Sequence, residues 1–161
     1  MIKLFFMDVD GTLTDGKIYM GVAGELMKAF HVKDGHAIKN LLPQYHMTPV
    51  IITGRASEIV TSRAQELNIG EIYQGVDNKL EVMLGIVEKY HCSLEDAAYI
   101  GDDIGDLPCM LQCGLSACPS DAADELLAAA DYVCAKRGGE GAVREFVEWL
   151  LRKEGGGTFT R

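Results

Sequence analysis

Asp8 and Asp10 close the apolar run Lys3-Leu4-Phe5-Phe6-Met7 and are followed at once by Gly11-Thr12. Two carboxylates at i and i+2 off a strand end point the same way. Like charges held that close need a cation or a proton between them. The pair therefore suits a hard divalent cation, with a carboxylate left over for chemistry. Three further polar sets follow apolar runs. Thr53-Gly54-Arg55 follows Val50-Ile51-Ile52, Lys79 opens a helical stretch after Glu71–Tyr73, and Gly101-Asp102-Asp103-Ile104-Gly105-Asp106 follows Ala97–Ile100. Each piece alone has a bland reading: a solvated turn, ordinary turn chemistry, a lysine facing water. Three acids within five residues are harder to place without a cation, and the ordered set is specific.

That set fits phosphoryl transfer. A phosphate monoester repels nucleophiles through its own oxygens, so catalysis rests on charge neutralisation and alignment. Mg²⁺ held by Asp8, Asp102 and a backbone carbonyl would bind one phosphate oxygen. Lys79 and Thr53 would take others, with backbone N–H groups near Gly11 assisting. One carboxylate beside the metal would attack phosphorus, and the other would protonate the leaving alkoxide and then deprotonate water.

The elements that must position these groups read as an alternation. Strands are expected at Lys3–Met7, Pro49–Ile52, Glu71–Tyr73, Ala97–Ile100, Leu115–Ala117 and Tyr132–Cys134. Helices are expected at Gly35–Leu42, Ser57–Leu67, Lys79–Tyr90, Gly105–Gln112, Ala122–Ala129 and Ala142–Arg152, and Ser93 with Asp96 resembles a capping box. This order predicts an α/β fold, a doubly wound Rossmann-like parallel sheet covered on both faces. Ligands of such sheets bind beyond the carboxyl ends of the strands, where all four polar sets fall. Lys17–Met20 and Glu25–Phe30 flank Gly21-Val22-Ala23-Gly24 and read as a β-hairpin projecting beside that edge.

The chain has 161 residues, enough for one domain with a sizeable core, here taken as 1–154 with a Gly-rich tail at 155–161. A net charge of −9 and a pI near 4.8 argue against nucleic acid as a partner. No apolar stretch is long enough to span a bilayer, and the apolar start is cut short by Asp8, so a cytoplasmic location is expected. Cys92, Cys109, Cys113, Cys118 and Cys134 form no CxxC pair and read as reduced thiols. No histidine spacing suggests zinc. His46 and His91 are expected at helix ends on the surface.

With the motifs Asp-x-Asp-Gly-Thr, Thr-Gly, Lys and Gly-Asp-Asp-x-x-Asp in this order, the chain resembles the haloacid dehalogenase superfamily of phosphatases over essentially its whole length. The resemblance implies Asp8 as nucleophile, Asp10 as general acid/base, and Thr53 and Lys79 as phosphoryl-binding groups. It implies Mg²⁺ on Asp8, Asp102 and the main-chain carbonyl of Asp10, with Asp103 and Asp106 in support. Neither interval that could carry a cap domain has room for one, so the chain is read as capless. The stretches Phe30-His31-Val32-Lys33-Asp34-Gly35, Ile52-Thr53-Gly54-Arg55, Tyr73-Gln74-Gly75, Asn78-Lys79-Leu80, Tyr99-Ile100-Gly101-Asp102-Asp103 and Gly138–Glu145 are similar to the 3-deoxy-D-manno-octulosonate 8-phosphate phosphatase family. That resemblance implies a phosphorylated sugar acid as substrate, a lipopolysaccharide-type biosynthetic route, and a homotetramer. In such a tetramer the hairpins pack together and a neighbour's C-terminal tail helps cover the site. His31 and His36 flank the Asp34-Gly35 segment and would then line the entrance.

Gly11, Gly54, Arg55 and Arg63 are the candidate substrate-binding residues. An arginine at position 55 resembles the eight-carbon enzymes and suits a carboxylate through a bidentate contact. Arg63, two helical turns further on, would face the same pocket. The Lys136-Arg137-Gly138-Gly139-Glu140-Gly141 loop instead looks closer to relatives that act on nine-carbon sugar acid 9-phosphates. Two other classes compete. A signalling receiver domain orders its motifs differently, with the phospho-acceptor after the third strand. An inert, phosphatase-like assembly module would carry decayed motifs, and here every one is intact.

Overall fold

Along the first strand, β1 (Leu4–Met7), Leu4 and Phe6 point to one side and Phe5 and Met7 to the other, and all four are buried. Such a strand needs cover on both faces, the condition of a parallel sheet. The computed structural model describes residues 1–155 and shows that cover. After β1 comes a hairpin of β2 (Tyr19–Gly21) and β3 (Gly24–Met27). Then α1 (Val32–His36) runs through a π-turn at Ala37–Leu41 into α2 (Leu42–Gln44). Next come β4 (Thr48–Ile52), α3 (Glu58–Glu66), β5 (Glu71–Tyr73), α4 (Lys79–Lys89) and β6 (Ala97–Ile100). The chain continues with α5 (Leu107–Met110), β7 (Leu115–Cys118), α6 (Asp124–Ala129), β8 (Tyr132–Val133) and α7 (Ala142–Lys153).

Six strands form one parallel sheet in the order β5-β4-β1-β6-β7-β8. Two apolar layers cover it. Phe5, Met7, Ile51 and Ala98 face the π-turn, α2, α3 and α7, through Ile38, Leu42, Val60, Ala64, Phe146 and Leu150. Leu4, Phe6, Val50, Ile52 and Tyr99 face α4, α5 and α6, through Met83, Ile86, Met110 and Leu126. The strand order reverses at β1, between β4 and β6. This switch point opens a crevice at the carboxyl edge, beside the ends of both neighbours.

The doubly wound expectation and the hairpin hold, and the connections between β1 and β4 and between Thr53 and Lys79 carry no cap domain. Boundaries differ at three places, at the first two for identifiable reasons. The helix expected at Gly35–Leu42 starts earlier and widens into the π-turn just before Pro43, which has no N–H to give to the carbonyl four residues back. The helix expected at Gly105–Gln112 divides into a 3₁₀ turn at Ile104–Asp106, closed by a capping box between Asp103 and Asp106, and the short α5, with Pro108 in its first turn. The hairpin strands are shorter than expected, and Phe30 lies beyond them.

The Ser93–Asp96 capping box is present. His46 and His91 are exposed just past α2 and α4, both with left-handed backbone. No helix of the described residues is long and apolar enough to cross a membrane. The five cysteines are free thiols. The tail expected from residue 155 lies, beyond its first residue, outside the described residues.

Candidate active site

The two-residue alternation of β1 continues past its end. Val9 stays buried in the α1/α7 layer, while Asp8 keeps the parity of Leu4 and Phe6 and turns toward the α4 side. There it meets Lys79, the first residue of α4, whose Nζ lies 2.7 Å from Asp8 Oδ1. The helix is fixed at this end by Asn78, which accepts from the Glu81 N–H. The same amine donates to Asp106 Oδ1 at 2.7 Å. Lys79 thus bridges two carboxylates from opposite sides of the switch point.

Asp106 is saturated. Its Oδ1 also accepts from the buried Tyr99 hydroxyl at 2.8 Å, and its Oδ2 accepts from the N–H groups of Asp102 and Asp103 at 3.1 and 3.2 Å. Asp106 therefore shapes the acidic loop and steadies Lys79, and has no lone pair left over for a cation. Asp103 is exposed, and its side chain caps its own turn by accepting from Ile104 N–H at 2.8 Å. Of the two supporting acids, Asp106 alone touches Lys79 among the described residues.

Asp102 faces Asp8 across the crevice, and carboxylate oxygens of Asp8, Asp102 and Asp106 lie within 4.8 Å of one another. Thr12 donates to Asp102 Oδ1 at 3.2 Å. Gly11, with φ of +93°, permits this approach, because a Cβ there would fall 2.0 Å from Asp102 Oδ2. Burial and the neighbouring carboxylates push the acids up, Asp8 to about 6 and Asp102 to about 8, even though Lys79 opposes the rise at Asp8. Burial works against the Lys79 ammonium, but Asp8 and Asp106 outweigh it and hold the amine up at about 12. Hard oxygen donors, crowded and reluctant to ionise together, are the donor set that suits Mg²⁺. With Asp106 already committed, Asp8 and Asp102 are the side chains that fit it.

Asp10 does not join the cluster, contrary to a simple reading of Asp-x-Asp. Its Oδ1 is bonded to Lys28 at the foot of the hairpin, and Oδ2 lies 3.9 Å from Arg55 Nε. The backbone turns away from the strand here: the N–H groups of Thr12, Leu13 and Thr14 all return to the Val9 carbonyl. Lys28 also meets Glu25 Oε1 at 2.8 Å, and Glu25 Oε2 accepts from Ser57 Oγ at 2.7 Å. Bonding to Lys28 lowers Glu25. Burial opposes the Lys28 charge, yet the two carboxylates raise its pKa overall. Neither Lys28 nor Glu25 was indicated by the sequence. The one available signal was a charged pair three residues apart in an otherwise apolar hairpin.

Thr53 is buried at the end of β4, its N–H on the Tyr73 carbonyl at 2.9 Å, with Gly54 following. The Gly11 N–H is already engaged by Thr14 Oγ1 at 3.2 Å. Arg55 stands half exposed at the rim, its Nη2 3.7 Å from Glu25. Arg63 is not brought to the carboxylates: its guanidinium lies 5.5 Å over the Phe30 ring and pairs with Glu66 at 2.8 Å. It shares a surface cleft with Lys28, Phe30 and Ser62 instead. The helical spacing was right, but Phe30 and the close approach at Gly35 take up the side chain. His31 caps α1 by accepting from the Lys33 N–H, and His36 pairs with Asn40. Neither reaches the acids. The Gly138-Gly139 loop does close on the site: Gly139 N–H donates to the Thr12 carbonyl at 3.0 Å and Gly138 abuts Gly11.

Residues 51–146 match the family model described as haloacid dehalogenase-like hydrolase. The chain is 45% identical, over 96% of its length and 81% of the relative's, to the 3-deoxy-D-manno-octulosonate 8-phosphate phosphatase of Escherichia coli K12. The crystal structure of the enzyme of that name from Yersinia pestis superposes with a TM-score of 0.91 at 43% identity, over 96% of this chain and 83% of that one. The Moraxella catarrhalis enzyme, in complex with magnesium, phosphate and a KDO molecule, gives a TM-score of 0.90 at 43% identity, over 94% of this chain and 86% of that one.

Proposed function

Because this chain belongs to the haloacid dehalogenase-like hydrolases, we propose that it is a Mg²⁺-dependent phosphomonoesterase that converts 3-deoxy-D-manno-octulosonate 8-phosphate to the free sugar acid and phosphate. The observation that carries this reading is the Asp8–Lys79–Asp106–Asp102 constellation at the switch point of the sheet.

Asp8 is the nucleophile. Lys79 leaves its carboxylate charged and aims it, and with Thr53 receives the oxygens of the incoming phosphoryl group. As the bond from Asp8 to phosphorus forms, the ester oxygen leaves with a proton from Asp10. Asp10 then takes a proton from the water that hydrolyses the aspartyl phosphate. Asp8, Asp102 and the Asp10 main-chain carbonyl would hold Mg²⁺. When bound, the ion supplies positive charge against the phosphoryl oxygens. Arg55, half exposed beside Asp10, suits the carboxylate of the sugar acid.

We infer a homotetramer, supported by the exposed hairpin residues Met20, Val22, Leu26 and Met27, which are apolar and suit packing against copies of themselves. A C-terminal tail reaching a neighbour's site belongs to the same reading. So does a cytoplasmic place in a lipopolysaccharide-type route, which the free thiols suit.

The test is Mg²⁺-dependent phosphate release from the eight-carbon sugar acid 8-phosphate, a nine-carbon sugar acid 9-phosphate and a hexose phosphate. The first should be strongly preferred, and Asp8→Asn should abolish release while preserving the oligomer. Preference for the nine-carbon acid would move specificity to the Lys136–Gly141 loop. Turnover by Asp8→Asn at the wild-type rate would sink the mechanism.

A further inference from the structure

The hairpin is an exposed excursion, yet the lysine at its foot is buried: the Lys28 side chain is 1% exposed. Its ammonium is held between Asp10 and Glu25, and the second Glu25 oxygen is anchored on Ser57, just past the Thr53-Gly54-Arg55 segment. Ser57 is tied down in turn, its N–H donating to Gln74 Oε1 at 2.8 Å. A continuous strap therefore runs from α3 through the hairpin to Asp10. Burying an amine in this way costs free energy unless its partners are well placed. A strap that merely attached the hairpin would not need to end on Asp10.

Asp10 needs such a contact. It follows the end of β1, where no ladder fixes it. Among the described residues the hydrogen bond to its side chain comes from Lys28, while Arg55 at 3.9 Å is too far to donate. With Oδ1 occupied by Lys28, Oδ2 is left as the oxygen that exchanges a proton. We propose that Lys28 is a positioning residue that aims Asp10 at the leaving-group oxygen. In the first half-reaction Oδ2 carries the proton. It passes to the alkoxide as the ester P–O bond breaks and the Asp8–phosphorus bond forms. In the second half-reaction Oδ2 recovers a proton from the attacking water. Lys28 keeps its own protons throughout.

This inference rests on the phosphatase reading, and the experiment separates the two. For wild type, Lys28→Met and Lys28→Arg, kcat/KM is measured on 3-deoxy-D-manno-octulosonate 8-phosphate and on 4-nitrophenyl phosphate, whose leaving group needs no proton. The first half-reaction governs this parameter. Lys28→Met should lose about 10- to 100-fold on the sugar acid phosphate, because aimed proton transfer is worth ~10²–10⁴. It should lose less than about threefold on the aryl ester, and Lys28→Arg should recover most of the difference. Equal losses on both esters, or no loss on either, would overturn the role of Lys28. If wild type releases no phosphate from the sugar acid, the functional reading fails instead. Should Lys28→Met not fold, Glu25→Gln loosens the same strap while keeping the amine. The same split between esters is expected there, and a parallel loss would overturn the proposal.

Discussion

A single methyl group at Gly138 should cripple the site from behind. A Cβ there would stand 1.8 Å from the Gly11 carbonyl oxygen, 2.6 Å from its carbon and 3.1 Å from the Thr14 carbonyl oxygen. All three are backbone atoms, so no side-chain rotation relieves the overlap. Bringing the nearest approach out to 3.0 Å requires the two loops to part by about 1.2 Å. The loop displaced is the one that carries Asp10 and Gly11 and packs on Asp102. Misplacing reacting groups by about 1 Å costs on the order of 100-fold in rate. Overpacking backbone against backbone destabilises by about 1–3 kcal/mol. Gly138→Ala should therefore lose roughly 100-fold in kcat/KM for Mg²⁺-dependent phosphate release and shift the urea midpoint downward. Gly85→Ala is the control, since it sits exposed in α4 with nothing within 4 Å of the added carbon. That variant should keep its activity and gain about 0.5–1 kcal/mol from the better helix former. Gly138→Ala with kcat/KM within about threefold of wild type and an unchanged midpoint would refute the argument.

Asp34 should prove to be a cap supplied from a distance: α7 begins at the left-handed Gly141, which has no side chain, and the Arg144 N–H donates to Asp34 Oδ1 at 2.8 Å. Asp34→Ala should cost about 1–2 kcal/mol in urea unfolding, and Asp34→Asn, which keeps an acceptor and sheds a buried charge, should recover most of it; equal losses would count against the cap. Without metal, the raised pKa values of Asp8 and Asp102 mean that the folded chain holds protons the unfolded chain has released between the ordinary carboxylate value of 3.8 and about 8. In that window stability falls as pH rises, so the melting temperature in chelator should drop from pH 5 to pH 8. Saturating Mg²⁺ should flatten the slope by taking the place of the protons. A level metal-free profile would contradict it.

The strands and the acids were legible because their signals are local. Leu4–Met7 is apolar on both faces and ends in a carboxylate, and that pattern places Asp8 without further information. The Lys79 amine was equally readable, since α4 must start from the carboxyl edge, where β5 ends, and run back to where β6 begins. What escaped depends on packing between segments far apart. Tyr99 reads as an apolar strand residue, yet its hydroxyl orders Asp106. Lys28 reads as a hairpin surface charge, yet it holds Asp10. Arg63 lies on the expected face of α3, but the Phe30 ring intercepts it. Position along a helix fixes direction and leaves open what stands in the way.

The central place of β1 also governs how the chain must acquire its shape. This strand pairs with residues 48–51 on one side and 97–100 on the other. During synthesis it must wait, apolar on both faces, until residues 97–100 have followed. Contacts this distant in sequence slow folding and expose strand edges to association. Recovery of activity after dilution from denaturant should therefore coincide with formation of the whole sheet, and fragments ending before β6 should be inactive and prone to aggregate.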